Sequence, residues 1–233
     1  ASESSPGFVH LRLHTEFSIV DGLVRIKPLL ARARELNMPA IAVTDLANMF
    51  GLIKFYSGAI KEGIKPVCGC DVVVRGEEGA ADTRLLLLAK DREGYLNLSK
   101  LISLIYTDNP NRSDASLRLD QLGAFSDGVI ALSGGQFSDI GAALLEGDQA
   151  RAAAYLSRWR SLFPESFYLE LQRVGREREE DYIDAVLDLA AATRTDGQCV
   201  LNHGAQLLCR AAPRRQSLAD KRQCSWGTHF ECP

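Results

Sequence analysis

Residues 8–23, FVHLRLHTEFSIVDGL, bring His10, His14, Glu16 and Asp21 close together in the chain. The stretch begins as a strand: Phe8, Val9, Leu11 and Leu13 are apolar, and His10, Arg12 and His14 alternate with the last two. Asp21-Gly22 is a turn signal, and an apolar-periodic run follows it. His14, Glu16 and Asp21 therefore fall near the C-terminal end of a first strand, just before a first helix. In barrel-like α/β folds that end of the sheet carries the chemistry. Imidazoles and carboxylates gathered there are the ligand types of a divalent-metal phosphoesterase.

The elements that must position these residues follow from periodicity. Residues 23–36 place Leu23, Ile26, Leu29, Leu30, Ala33 and Leu36 at helical spacing. Residues 39–44 (PAIAVT) form a short apolar run suited to a buried parallel strand, ended by Asp45. The pattern then predicts a helix over 52–61, strands over 66–74 and 84–90, and a helix over 95–105. A polar loop over 107–116 precedes a short helix over 117–122. A strand over 128–133 ends at Gly134-Gly135. Helices over 140–145 and 149–163, a strand over 167–172 and a charged amphipathic helix over 177–192 complete the run. Strands alternating with helices predict a parallel sheet, and this many units predict a closed or nearly closed barrel.

With 233 residues and 46% hydrophobic content, the chain can bury one sizeable core. Its 27 Lys and Arg against 30 Asp and Glu give a formal charge of -3, which excludes a basic domain that binds nucleic acid by charge alone. No apolar run spans a bilayer and no signal-peptide pattern opens the sequence, so a cytoplasmic protein without membrane contact is expected. Cys68 and Cys70 sit two apart in a predicted strand and read as small buried hydrophobes in a reducing compartment. A zinc site would need more ligands at closer spacing. The other four cysteines, Cys199, Cys209, Cys224 and Cys232, fall in a tail whose texture differs from the rest.

Several stretches together resemble one family. FVHLRLHTEFSIVDGL, then PAIAVTDLANMFGLIKFY (39–56) and GIKPVCGCDVVV (63–74), resemble the start of bacterial DNA polymerase III alpha subunits. That region is their polymerase-and-histidinol-phosphatase (PHP) domain. LLAKDREGYLNLSKLIS (87–103), GVIALSGG (128–135) and FPESFYLELQRVGR (163–176) match in the same order. The resemblance implies a distorted seven-stranded β/α, TIM-like barrel. The expected layout is a frayed start over 1–7, the PHP domain over 8–195 and a divergent tail over 196–233. In the family, an Asp-containing motif closes the last strand. Here Val200-Leu201-Asn202-His203-Gly204 stands in its place, which suggests an incomplete last strand and a frameshifted, truncated or divergent end.

The resemblance also assigns the metal positions. His14, Asp21 and Asp71 match metal ligands. Four further ligand positions carry other residues: Arg12, Leu46, Arg84 and Gly135. Arginine has no free lone pair and leucine and glycine no donor side chain. Three ligands are too few for a two- or three-metal cluster. Either arginine could place a fixed positive charge where a metal once sat and pair with the remaining carboxylates.

The expected function is accordingly that of a catalytically degenerate scaffold, with no catalytic residue and no cofactor. Mg, Mn or Zn would enter only if the residual site works. Its expected partners are the rest of the polymerase subunit and the proofreading exonuclease (epsilon) subunit, with DNA reached through the holoenzyme. The parent protein catalyses template-directed DNA synthesis, but no polymerase palm falls within these residues. The alternative is an active metal-dependent phosphoesterase, either a 3′-5′ exonuclease or a pyrophosphatase. A third reading is a product whose damaged tail leaves the barrel open.

Simpler roles compete at several positions. His10 fits either the site or a satisfied strand position. Glu16 reads as a solvated loop carboxylate. Asp45 and Asn48 read as caps of the following helix, although Asp45 could instead orient a former ligand. Gly134-Gly135 reads as a tight strand-to-helix turn or a phosphate cradle. The run over 173–181 reads as a solvated helix face.

Overall fold

The computed structural model describes residues 8–19, 21–76, 81–108 and 115–193, and the backbone of 199–202. The elements are α1 (Ile26–Glu35), β1 (Ala40–Val43), α2 (Leu52–Lys61), β2 (Lys65–Val74), β3 (Thr83–Ala89) and α3 (Arg92–Thr107). They continue with α4 (Leu119–Ala124), β4 (Val129–Ser133), α5 (Asp139–Leu145), α6 (Gln149–Leu162), β5 (Phe167–Gln172), α7 (Glu179–Thr193) and β6 (Cys199–Asn202). Periodicity places α2 and β5 with their observed ends. Helix α1 begins three residues later than expected, and Pro28 is the reason. A helix starting at residue 23 would need an N–H from residue 28, whereas in a first turn that N–H has no partner to lose.

Among the described residues the six strands form one sheet in the order β1-β2-β3-β4-β5-β6. β1 and β2 are parallel, as are β4–β5 and β5–β6, but β3 is antiparallel to both β2 and β4. The expected all-parallel sheet is corrected here. Residues 75–82 join β2 to β3, and that connection is too short for the crossover a parallel pair requires.

The expected first strand is also reduced. His10 makes a lone bridge to Ile41. Ala42 N–H donates to the His10 carbonyl at 2.8 Å and Thr44 N–H to the Leu13 carbonyl at 2.9 Å. The Leu13 N–H, however, goes to the Thr44 hydroxyl at 2.7 Å, so a side chain interrupts the ladder.

The sheet is curled around an apolar interior. Ala42 of β1, Val67 of β2, Leu86 and Leu88 of β3, and Ile130 and Leu132 of β4 share one cluster with Val9, Leu11 and Tyr168. The N-terminal segment thus packs inside the curl, in one cluster with Tyr168 of β5. The architecture is a mixed α/β half-barrel. A closed seven-stranded barrel is not what the described residues form, because the first segment pairs through a single bridge and β6 has four residues. The helices cover the outside: Trp159, Phe163, Phe167 and Tyr182 fill the larger core, and Leu30, Phe55 and Ala59 join α1 and α2 to β1. Most of the tail, 203–233, lies outside the described residues.

Candidate functional site

The polar cluster sits where the N-terminal segment crosses β2, β3 and β5. Its centre is Asp71, in the middle of β2 and 1% exposed. Asp71 Oδ2 receives Arg12 Nη1, with His14 Nε2 at 3.1 Å and Arg84 Nη1 at 3.2 Å. Arg84 reaches it from the start of β3, two residues before Leu86, the register partner of Asp71. Asp71 Oδ1 is buried with no hydrogen-bond partner.

Arg12 is the hinge of the arrangement. Besides Asp71 it grips Glu170 of β5 with both ends of its fork, Nε to Oε1 at 2.8 Å and Nη2 to Oε2 at 2.7 Å. This bidentate geometry is the strong form of an Arg–carboxylate pair. It spans 158 residues of sequence and links the N-terminal segment to the opposite side of the curl. Glu170 is 0% exposed and also accepts from Gln172 Nε2 at 3.1 Å. Its backbone is held by the Ser133 hydroxyl at 2.9 Å and the Tyr182 hydroxyl at 2.8 Å.

The N-terminal segment is held in turn by Asp45. Its carboxylate accepts from Thr15 N–H and from the Thr15 hydroxyl at 2.9 Å. Asp45 does not cap α2, whose N-cap is Gly51 without a side-chain bond. The helix-cap expectation is therefore corrected: the carboxylate fixes the residue next to His14. Asn48 does accept from Phe50 N–H at 3.1 Å, a turn ahead of α2, while its amide donates to the Phe17 and Leu46 carbonyls. His14 Nδ1 pairs with Asp21 at 2.9 Å, and Asp21 also accepts from the Ser18 hydroxyl at 2.7 Å.

The charges follow from these contacts. Burial works against ionised Asp71, but the Arg12 guanidinium, then His14 and Arg84, outweigh it and hold its pKa down at about 2. Burial likewise opposes a charged His14, and the hydrogen bond and charge of Asp71 with the charge of Asp21 overcome it, so the pKa is raised. Burial raises the pKa of Asp45 from its ordinary value, against the lowering effect of the Thr15 hydrogen bonds. Burial, with the nearby Asp71 charge, pushes the Cys70 thiol well up, so it stays protonated and donates to the Asp45 carbonyl at 3.3 Å.

His14, Asp21 and Asp71 are thus brought together, with Arg12 and Arg84 among them. Leu46 lies beside them through a bridge to Asp71 and packs on the core. Gly135 stands at φ +65°, where an added Cβ would meet Gln172 at 3.0 Å, so Gly134-Gly135 is a tight strand-to-helix turn. Glu16 pairs with Lys54 at 3.5 Å, away from the cluster. His10 is buried, its ring edge-on to Phe8 at 4.7 Å.

The 173–181 run is only partly a solvated face. Glu179 is buried and accepts from the backbone N–H groups of Val174, Gly175 and Arg176. Glu170 and Gln172 are site residues that sequence reasoning missed. Their signal was present in FYLELQ, where Glu and Gln alternate with leucines inside an apolar strand.

As arranged, the donors do not fit a multi-metal centre. Both His14 nitrogens face carboxylates, one Asp71 oxygen is shared by three cationic groups, and a guanidinium fills the space between Asp71 and Glu170. Among the described residues no group of three or more His, Cys, Asp or Glu is placed to hold one ion.

The residues that build this sheet and its cluster fall within the span of a known family. The PHP domain family matches residues 10–174, and this chain belongs to it. It is 46% identical over 185 residues to the DNA polymerase III subunit alpha of Pseudomonas aeruginosa, covering 79% of this chain and 16% of that protein. It is 40% identical over 190 residues to the Escherichia coli K12 subunit, covering 81% and 16%. The chain thus spans about a sixth of the length of these curated relatives. Among solved structures, a protein assigned as a metal-dependent phosphoesterase from Bifidobacterium adolescentis superposes with a TM-score of 0.54 at 14% identity, covering 87% of this chain and 88% of that one. An amidohydrolase from Chromobacterium violaceum, with bound sulfate and no metal, gives 0.53 at 14% identity over 84% and 86%.

Proposed function

We propose that this chain is the N-terminal PHP domain of a replicative DNA polymerase III alpha subunit and that it works as a catalytically silent scaffold. In this reading it supports the polymerase, which carries out template-directed DNA synthesis in the cytoplasm, and it docks the proofreading exonuclease subunit. DNA is engaged by the assembled holoenzyme. The observation that carries the reading is the Arg12 guanidinium between Asp71 and Glu170. A permanent cation there neutralises two buried carboxylates, as a metal would, but it can neither bind water as a Lewis acid nor exchange ligands. His14 and Arg84 complete the neutralisation of Asp71. No residue of the cluster is left as a base poised on a nucleophile, and the cluster's work is to tie the N-terminal segment to β2 and β5.

The rival is an active metal-dependent phosphoesterase using His14, Asp21 and Asp71. Elemental analysis after loading with zinc and manganese, with a phosphoesterase assay on the same sample, separates the two. Sub-stoichiometric metal and no turnover are expected. Stoichiometric metal with turnover that is lost in Asp71→Asn would establish the rival. Docking is read by titrating the purified exonuclease subunit, and absence of binding would remove that half of the proposal.

A further inference from the structure

Helix α2 is apolar on two sides. Leu52, Phe55 and Ala59 face the core. Yet within it Ile53 is 82% exposed and Ile60 56%, and Phe50 just before it is 66% exposed, where a surface helix ordinarily carries polar groups. This outer side borders a groove of about 720 Å³ between α1 and α2. The helices approach closely along it, since a Cβ on Gly58 would stand 2.7 Å from Leu30 Cδ1.

The charges around the groove are unbalanced. Lys27, Lys54 and Lys61 line it with Glu62. Glu62 is taken by Arg34 at 2.9 Å, and Lys54 lies 3.5 Å from Glu16. Lys27 and Lys61 have no ion pair among the described residues. Two uncommitted ammonium groups therefore flank exposed aromatic and aliphatic anchors.

We propose that this groove docks an acidic amphipathic helix of a separate protein, with apolar side chains on Phe50 and Ile53 and carboxylates toward Lys27 and Lys61. A channel between two helices suits a third helix presenting anchors at i, i+3, i+4 and i+7. The lysine rim favours a dissociable partner, because lysine is depleted from buried interface cores and rim charges act mainly on association and its salt dependence. The inference rests on the docking half of the proposed function. Its failure would leave the arginine-filled site untouched, since that is read by metal content and turnover.

The test is fluorescence anisotropy of the 233-residue chain with a labelled Leu/Glu amphipathic helical peptide. The controls are a scrambled peptide of the same composition and a Leu/Lys version. The acidic amphipathic peptide should bind at least tenfold tighter than either control and weaken several-fold when salt rises from about 50 to 300 mM. Ile53→Glu should reduce binding at least tenfold, and Lys27→Glu with Lys61→Glu should reverse the preference toward the Leu/Lys peptide. The thermal midpoints of these variants should stay at the parent value, because the residues are at the surface. Equal affinity for the scrambled peptide, or binding unchanged by Ile53→Glu, would overturn the proposal. So would a dimer in light scattering that Ile53→Glu dissolves, which would assign the groove to a second copy of the chain.

Discussion

Replacing Arg12 by methionine keeps most of the side-chain volume and removes the charge. Glu170, fully buried, loses both bonds of the fork but keeps the Gln172 amide. Asp71 keeps His14 and Arg84. Breaking a buried pair by removing one partner leaves uncompensated charge, at a cost of about 3–5 kcal/mol. Asp71 gives an independent scale: its pKa falls from 3.8 to about 2 in the folded protein. That shift corresponds to on the order of 2 kcal/mol, part of which Arg12 supplies. In the parent, a lowered carboxylate pKa contributes stability that is complete above the unfolded value and is lost as pH falls through about 2. In Arg12→Met the Glu170 carboxylate stays buried without its counter-charge, while Asp71 still has His14 and Arg84. Urea unfolding followed by circular dichroism near neutral pH should therefore show a large gap between parent and variant. Adding Asp71→Asn and Glu170→Gln to Arg12→Met should restore most of the loss, because neutral isosteres need no counter-charge. A gap below about 1 kcal/mol would refute the role given to Arg12.

Three further outcomes are expected. His14 has a raised pKa, so its contribution is fully present below the ordinary imidazole value and is lost as pH rises through the folded value. His14→Gln should flatten the stability profile above pH 6.5, as read from urea midpoints. Gly135→Ala should cost about 1–3 kcal/mol by thermal melting, because φ is +65° and Gln172 stands in the way. Arg12→His combined with Leu46→His and Arg84→His returns imidazoles to three former ligand positions and should raise bound manganese or zinc above the parent level. Elemental analysis showing no gain would contradict the reading of those positions as substituted ligands.

Local pattern was enough to place most of the elements. The alternation in FYLELQ marks β5, and the spacing of Leu52, Phe55 and Ala59 marks α2, because both signals arise between near neighbours. The collinear motifs also located His14, Asp71, Arg12 and Arg84 in one cluster, and the charge of an arginine already raised the idea of a filled metal position. What that arginine grips was not legible. Glu170 lies 158 residues away, and only the curl of the sheet brings β5 over the N-terminal segment. The same holds for Asp45, which looks like a helix cap by sequence neighbourhood and is claimed instead by Thr15, 30 residues earlier. Strand direction was likewise decided in three dimensions, since a short β2–β3 connection reverses β3 and so brings Arg84 to the same end as Asp71. The sequence by itself determined which residues carry charge and where helices and strands form. The tertiary structure decided the pairings, because buried charges select partners by proximity in space and by the cost of leaving any of them unpaired.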